Sequence, residues 1–175
     1  MENLDRLVLR RLLDWREAGA AAVLVTVVRT WGSSPRPVGS IMALRADGAM
    51  VGSVSGGCIE DDLAHRLGAG VQPTGQPQRL HYGVTADEAH RFGLPCGGTL
   101  ELVIEFSPDV DGLRALLARL DRGGLVARTL ALHDGRVTLS EGRNAVFASD
   151  GERLRHVFGP AWRLLLIGAG QLAEY

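Results

Sequence analysis

Glycine sets the limits on what this chain can fold into. Its 23 glycines among 175 residues fall in short clusters between apolar segments, not in one low-complexity run. Such punctuation predicts many turns, and loops whose backbone must approach something closely. Three clusters stand out: "GSSPRPVG" (Gly32 to Gly39), "SVSGGCIE" (Ser53 to Glu60) and "LPCGGTLE" (Leu94 to Glu101). The second and third each set a cysteine against a Gly-Gly step, and Cys58 and Cys96 are the only two cysteines of the chain.

Between the clusters, hydrophobic spacing predicts the elements. Leu4, Leu7, Val8, Leu12 and Trp15 recur at helical spacing, and this helix ends near Gly19. Ala22 to Trp31 is rich in β-branched residues and reads as a buried strand. Asp47-Gly48 predicts a hairpin. A helix follows Cys58, with Ile59, Leu63 and Leu67 on one face and Glu60, Asp61 and Asp62 in the first turn, where the helix dipole favours acids. "QRLHYGV" reads as a strand, and "TADEAHRFG" as a short helix opened by Thr85 and Glu88 in capping-box register. Thr99 to Phe106 is a half-buried strand, and a helix runs from about Pro108 to Arg122. Asp134-Gly135 and Asp150-Gly151 each predict a further hairpin.

The expected fold class is α/β: a mixed sheet with flanking helices, followed by β-hairpins and a truncated Rossmann-type strand. The expected division is a main domain over 1–122, a hairpin or connecting region over 123–160, and the start of a second domain over 161–175. Hydrophobic residues make up 46% and charged residues 22%, so an ordinary globular core can form. The formal net charge is -1 and no basic stripe is present, which argues against nucleic acid as partner. The opening "ENLDRLVLRR" is charged and amphipathic, unlike a secretory leader. No apolar run approaches the roughly 20 residues that cross a membrane. A cytoplasmic protein is expected.

"LLLIGAGQLAEY" carries Gly168, Gly170 and Ala173, a G-x-G-x-x-A pattern directly after an apolar strand. In a whole βαβ unit this would bind a dinucleotide. The helix, second strand and acidic ribose ligand of that unit do not follow here. No NAD binding is therefore expected of this chain. The apolar strand is expected to pair with its own sheet, to be buried in a homodimer, or to be disordered.

Several chemistries would explain the Gly-Gly-Cys steps. A disulfide is disfavoured where thiols stay reduced. Zinc would need about four ligands, and none of the five histidines, His65, His81, His90, His133 and His156, stands in ligand spacing with another. No metal site from protein residues alone is expected. A helix N-terminus at Cys58 would favour its thiolate, whereas Glu60, Asp61 and Asp62 oppose it. Small, buried, inert cysteines are the bland alternative. A ligand cradle fits the glycines best, because successive N–H groups can point into one concavity. Ser33, Ser34 and Ser55 add hydroxyls. Arg36 stands between two prolines, on a stiff segment that lowers the entropic cost of gripping an anion. If the three loops converge, the pocket would suit a ligand bearing phosphate and sulfur.

"GSSPRPVGSIMAL", "GSVSGGCIE" and "GLPCGGTLELVIE", in this order and spacing, resemble the XdhC/CoxI family. The likeness covers roughly Leu4 to Phe106 and resumes at "LLLIGAGQLAEY", which looks like the opening of that family's C-terminal Rossmann-like domain. These are accessory proteins for maturation of xanthine dehydrogenase, carbon monoxide dehydrogenase and related molybdenum hydroxylases. The resemblance implies a chaperone that holds the molybdenum cofactor (molybdopterin) as cargo. It would protect the cofactor during sulfuration and deliver it to the hydroxylase apo-enzyme, with a cysteine desulfurase supplying sulfur. Carried over by motif, the cofactor contacts are Gly32, Ser33, Ser34, Arg36 and Gly39, then Ser55, Gly56, Gly57, Cys58 and Glu60, then Cys96, Gly97 and Gly98. No catalytic residue is assigned, and the candidate thiols are Cys58 and Cys96. Three other readings stay open: a cysteine-dependent sulfur-transfer enzyme, a NAD-dependent oxidoreductase, and a structural dimerisation module.

Overall fold

The computed structural model describes residues 4–32, 36–68, 75–83, 98–143 and 145–160. Helix α1 (Leu4–Glu17) buries Val8, Leu9, Leu12 and Trp15 along one face. It stops where predicted. Gly19 adopts φ +76°, its N–H bonds the Arg16 carbonyl at 3.0 Å, and the Ala20 N–H bonds the Trp15 carbonyl at 2.9 Å. Only glycine takes that backbone conformation without strain, so the sequence position of Gly19 fixes the helix end.

Five strands form the first sheet: β1 (Ala22–Trp31), β2 (Ile41–Arg45), β3 (Met50–Gly52), β4 (Gln78–Tyr82) and β5 (Thr99–Phe106). Their order is β3-β2-β1-β5-β4. The β2–β3 hairpin turns at Asp47-Gly48 as expected. Side chains alternate between two cores. Val23, Val25, Val27, Leu100, Leu102 and Ile104 face α2 (Cys58–Gly68), which adds Ile59 and Leu63. Ala22, Leu24, Ile41 and Ala43 face α1 and α3 (Val110–Asp121). Full burial of each such Val, Leu or Ile contributes about 1.5–3 kcal/mol. This is what holds the helices against the sheet.

The α/β class is as expected. The expected mixed sheet is corrected, because every described strand pair is antiparallel. The reason is topological. The helix α2 connects the two edge strands β3 and β4, so it creates no neighbouring parallel pair.

One irregularity interrupts β1. Its register with β5 shifts between Val27 and Arg29, leaving Val28 without a ladder partner. Val28 then packs with Val103 and, from the second sheet, Leu130 and Leu154.

That second sheet contains β6 (Val126–Ala131), β7 (Val137–Glu141), β8 (Ala148–Ser149) and β9 (Arg153–Phe158), in the order β7-β6-β9-β8. The two predicted hairpins thus exist but pair with each other through β6 and β9. Arg128 on β6 and Glu105 on β5 join the sheets by a 2.5 Å ion pair with both side chains 7% exposed. Val126 and Phe158 share a core with α1 and α3. The strand expected near Leu164 and the short helix expected at Thr85 lie outside the described residues.

Candidate functional site

The strand registers bring the glycine-rich loops to one end of the first sheet. Trp31 pairs with Thr99, Thr26 with Ile41, Met42 with Gly52, and Tyr82 with Leu100. The 32–40 connection, the 53–57 loop and the entry to β5 at Gly98 therefore all begin or end at the same edge. A polar relay connects two of them. The Arg36 Nε donates to the Ser53 hydroxyl at 3.2 Å, and that hydroxyl donates to the Glu60 carboxylate at 2.9 Å.

Glu60 organises the second loop. Its carboxylate accepts from the backbone N–H groups of Val54, Ser55, Gly56 and Gly57 at 2.8–3.0 Å. The Ser55 hydroxyl donates to it as well. Gly57 caps α2 and Glu60 is the third helical residue, so the Gly57 contact is the reciprocal half of a capping box. The other donors extend that box back along the loop. Burial disfavours the charge, but the Ser55 hydroxyl and the N–H groups of Ser55, Gly56 and Gly57 outweigh it. They hold the carboxyl well below the usual carboxylate range.

This geometry changes the use of the glycines. The N–H groups do point into one concavity, as the cradle reading requires, but Glu60 already fills it. Glu60 is only 5% exposed. Gly56 takes φ +96°, and a Cβ on Gly56 or Gly57 would meet nothing within 4 Å. The glycines thus serve the curl of the chain and leave open space outside the loop. Gly52, just before it, is a different case. Its Cβ would lie 2.4 Å from the Ile41 carbonyl oxygen and 2.8 Å from Val8 Cγ2, so that end of β3 is pinned against α1 and β2.

The other expected residues are dispersed. Gly32 ends β1 on the exposed surface beside Trp31, which is 70% exposed. Gly39 lies against Phe147 and His156, whose side chains come within 3.6–3.8 Å of its Cβ position. Cys58 is the first residue of α2. Gly98 is buried and leads into β5. Ser33, Ser34, Cys96 and Gly97 lie outside the described residues. Ser53 was not anticipated. It stands seven residues before Glu60, a spacing with no helix or turn signature, so only the fold reveals the relay.

A second polar cluster lies between the sheets. His156 stacks on Phe158 at 4.0 Å and meets Phe147 edge-on at 5.3 Å. Its Nδ1 is buried and has no hydrogen-bond partner among the described residues. Burial, reinforced by the Arg128 charge, pushes its pKa down to about 4.

Among the described residues no helix is long and apolar enough to cross a membrane. The chain is 34% identical to the molybdenum cofactor insertion chaperone PaoD of Escherichia coli (strain K12) over 117 residues, 67% of this chain and 36% of PaoD. It is 42% identical over 48 residues to a probable xanthine dehydrogenase subunit of Bacillus subtilis (strain 168), covering 27% of this chain and 14% of that protein. The chain thus spans little more than a third of PaoD and a smaller part of the second relative. In fold it is similar to the crystal structure of a xanthine dehydrogenase from Bacillus halodurans, with a TM-score of 0.68 and 22% identity, covering 90% of this chain and 53% of that one. Residues 15–83 match the XdhC and CoxI family. The segment that matches the XdhC and CoxI family holds the strands β1 to β4 and both the Arg36 and Glu60 loops.

Proposed function

We propose that the protein is a molybdenum-cofactor-binding chaperone. It protects the cofactor during sulfuration and delivers it to a molybdenum hydroxylase such as xanthine dehydrogenase. The observation that carries this reading is the meeting of glycine-rich loops at one sheet edge, with Arg36 tied through Ser53 to Glu60. The role named for PaoD, insertion of molybdenum cofactor, supports it.

The residues suit such cargo. Arg36 supplies a cation for the phosphate of the pterin. The open side of Gly56-Gly57 lets a ligand approach the backbone without meeting a side chain. Glu60, Ser53 and Ser55 act beneath the loop. They hold its shape before the cargo arrives, which lowers the ordering cost of binding. Carried over by motif, Gly32, Ser33, Ser34, Gly97 and Gly98 are further proposed cofactor contacts, with Cys58 and Cys96 the proposed contacts at the metal end of the cargo. Glu60, two residues after Cys58, opposes thiolate formation at the start of α2, which favours a lining role for Cys58 over sulfur transfer. A cysteine desulfurase supplies the sulfur.

Incubation of the protein with molybdenum cofactor released from a hydroxylase, followed by gel filtration, tests this. The cofactor should co-elute, and Arg36→Ala should reduce the retained amount about tenfold, as expected for loss of a charge-assisted contact. Elution of the cofactor apart from the wild-type protein would overturn the reading.

A further inference from the structure

A second concave site lies far along the chain from the glycine-rich loops, where α3 ends and the second sheet begins. A cleft of about 570 Å³ is lined by Arg122, Gly123, Gly124, Leu125, Glu141, Arg143 and Pro160. An adjoining recess of about 260 Å³ shares Arg122, Gly124, Leu125 and Glu141 and adds Arg119 and Ser140. The larger volume falls within the range of small-molecule sites, about 300–1,000 Å³.

The charge in this cleft is lopsided. Arg122 lines both recesses, Arg119 the smaller and Arg143 the larger, with Glu141 the single carboxylate in either lining. The only ion pair there among the described residues is Arg143 to Glu141 at 3.4 Å, with both side chains about three-quarters exposed. Cations often collect at a helix C-terminus to meet its unpaired carbonyls. Here the chain meets two of them itself. Gly123, at φ +73°, donates to the Leu120 carbonyl at 2.9 Å, and Gly124 donates to the Arg119 carbonyl at 3.0 Å. The guanidinium groups are thus not needed to cap those carbonyls.

The floor of the cleft is rigid. A Cβ on Gly124 would lie 2.7 Å from the Arg119 carbonyl oxygen, one on Gly142 2.9 Å from the Leu125 carbonyl carbon, and one on Gly159 2.7 Å from the Gly124 carbonyl oxygen. Three backbone segments therefore meet with no room for side chains, and the arginines stand on a preformed base. Leu125 and Pro160 give one wall apolar character.

We infer that this cleft binds a small organic phosphomonoester, with its phosphate held by Arg119, Arg122 and Arg143 and its apolar portion against Leu125 and Pro160. Arginine forks match phosphate oxygens, and such charge-assisted bonds are the strong ones. The Ser140 hydroxyl is a further donor in the recess. The site is independent of Arg36 and of the cofactor proposal.

Titration of the chain with adenosine 5′-monophosphate, followed by calorimetry and by the phosphorus NMR line width, tests this. Saturable binding is expected, weakened about tenfold in Arg122→Gln and again in Arg143→Gln, in keeping with charge-assisted hydrogen bonds. These arginines are exposed, so circular dichroism should confirm an intact fold. Arg36→Ala should leave this affinity unchanged. No saturable binding at millimolar nucleotide would overturn the inference, as would binding that survives both glutamine substitutions or is lost with Arg36.

Discussion

Two of the buried carboxylates, Glu60 and Glu105, are stabilised in opposite ways. Glu60 accepts six hydrogen bonds from uncharged donors, all within seven residues of it in sequence. Glu105 meets one guanidinium, that of Arg128, from a different sheet and 23 residues away. The first arrangement shapes a single loop. Its charge is spread over dipoles that the loop brings with it, so the loop can keep its form while its outer face stays open. The second fastens two sheets, and each partner depends wholly on the other. Local donors make a shaped surface; a distant ion makes a joint.

Removing one member of each set separates the two cases. The largest effect is expected from Arg128→Met or Glu105→Leu alone, about 3–5 kcal/mol, because an unpaired charge would remain between the sheets. The double substitution should recover most of that loss, since an apolar pair of similar volume can replace a buried ion pair. Urea unfolding reads all three variants. If the double variant is as unstable as the singles, the pair is not the joint described.

His156, beside Arg128, gives the next effect. Its pKa is about 4 in the fold, below the unfolded value of about 6.5. The unfolded chain therefore binds more protons between these values. The contribution of His156 is complete above pH 6.5 and is lost as pH falls toward 4. Between about pH 7 and pH 5 this amounts to about 2 kcal/mol. His156→Phe should flatten that part of the stability profile, and an unchanged slope would show that the histidine stays solvated.

Glu60→Gln should cost about 1.5 kcal/mol, since several neutral donors keep an amide oxygen to bond. The carboxyl is held below its ordinary value, so its contribution is present above about pH 4.5 and fades as pH falls below that. The glutamine variant should lack this acid limb in urea midpoints taken from about pH 5 to pH 3. The smallest change in stability belongs to Arg36→Ala, within about 0.5 kcal/mol for an exposed position. The same substitution should produce the clear loss of cofactor retention, so stability and binding are read apart.

Local features of the fold were legible because each is decided within a few residues. Gly19 ended α1, Ala22 to Trp31 formed one strand, and each Asp-Gly step turned a hairpin. What escaped were pairings between distant segments. Nothing in the alternation of β6 and β9 says that they lie side by side, and Arg128 in "VARTLA" reads like any outward-facing strand charge. At the site, Glu60, Asp61 and Asp62 look alike as acids in a first helical turn. Which one turns back on the loop depends on the path of Ser53 to Gly57, and that path includes a positive φ at Gly56. The resemblance to the family named the loops of Arg36 and Glu60, which the fold links through Ser53. It did not distinguish residues that shape a loop from residues left facing outward.

The shift at Val28 has a consequence for comparing relatives. Nine residues of β1, Val23 to Trp31, run against eight of β5. The strand therefore changes phase partway, with Val27 on the α2 side and both Val28 and Arg29 on the other. A relative of equal length that lacks this bulge would keep every core position up to Val27, yet its tryptophan would leave the sheet from the opposite face. An ungapped alignment with such a relative would conceal an inverted rim, and the two loops would offer different surfaces to whatever docks there.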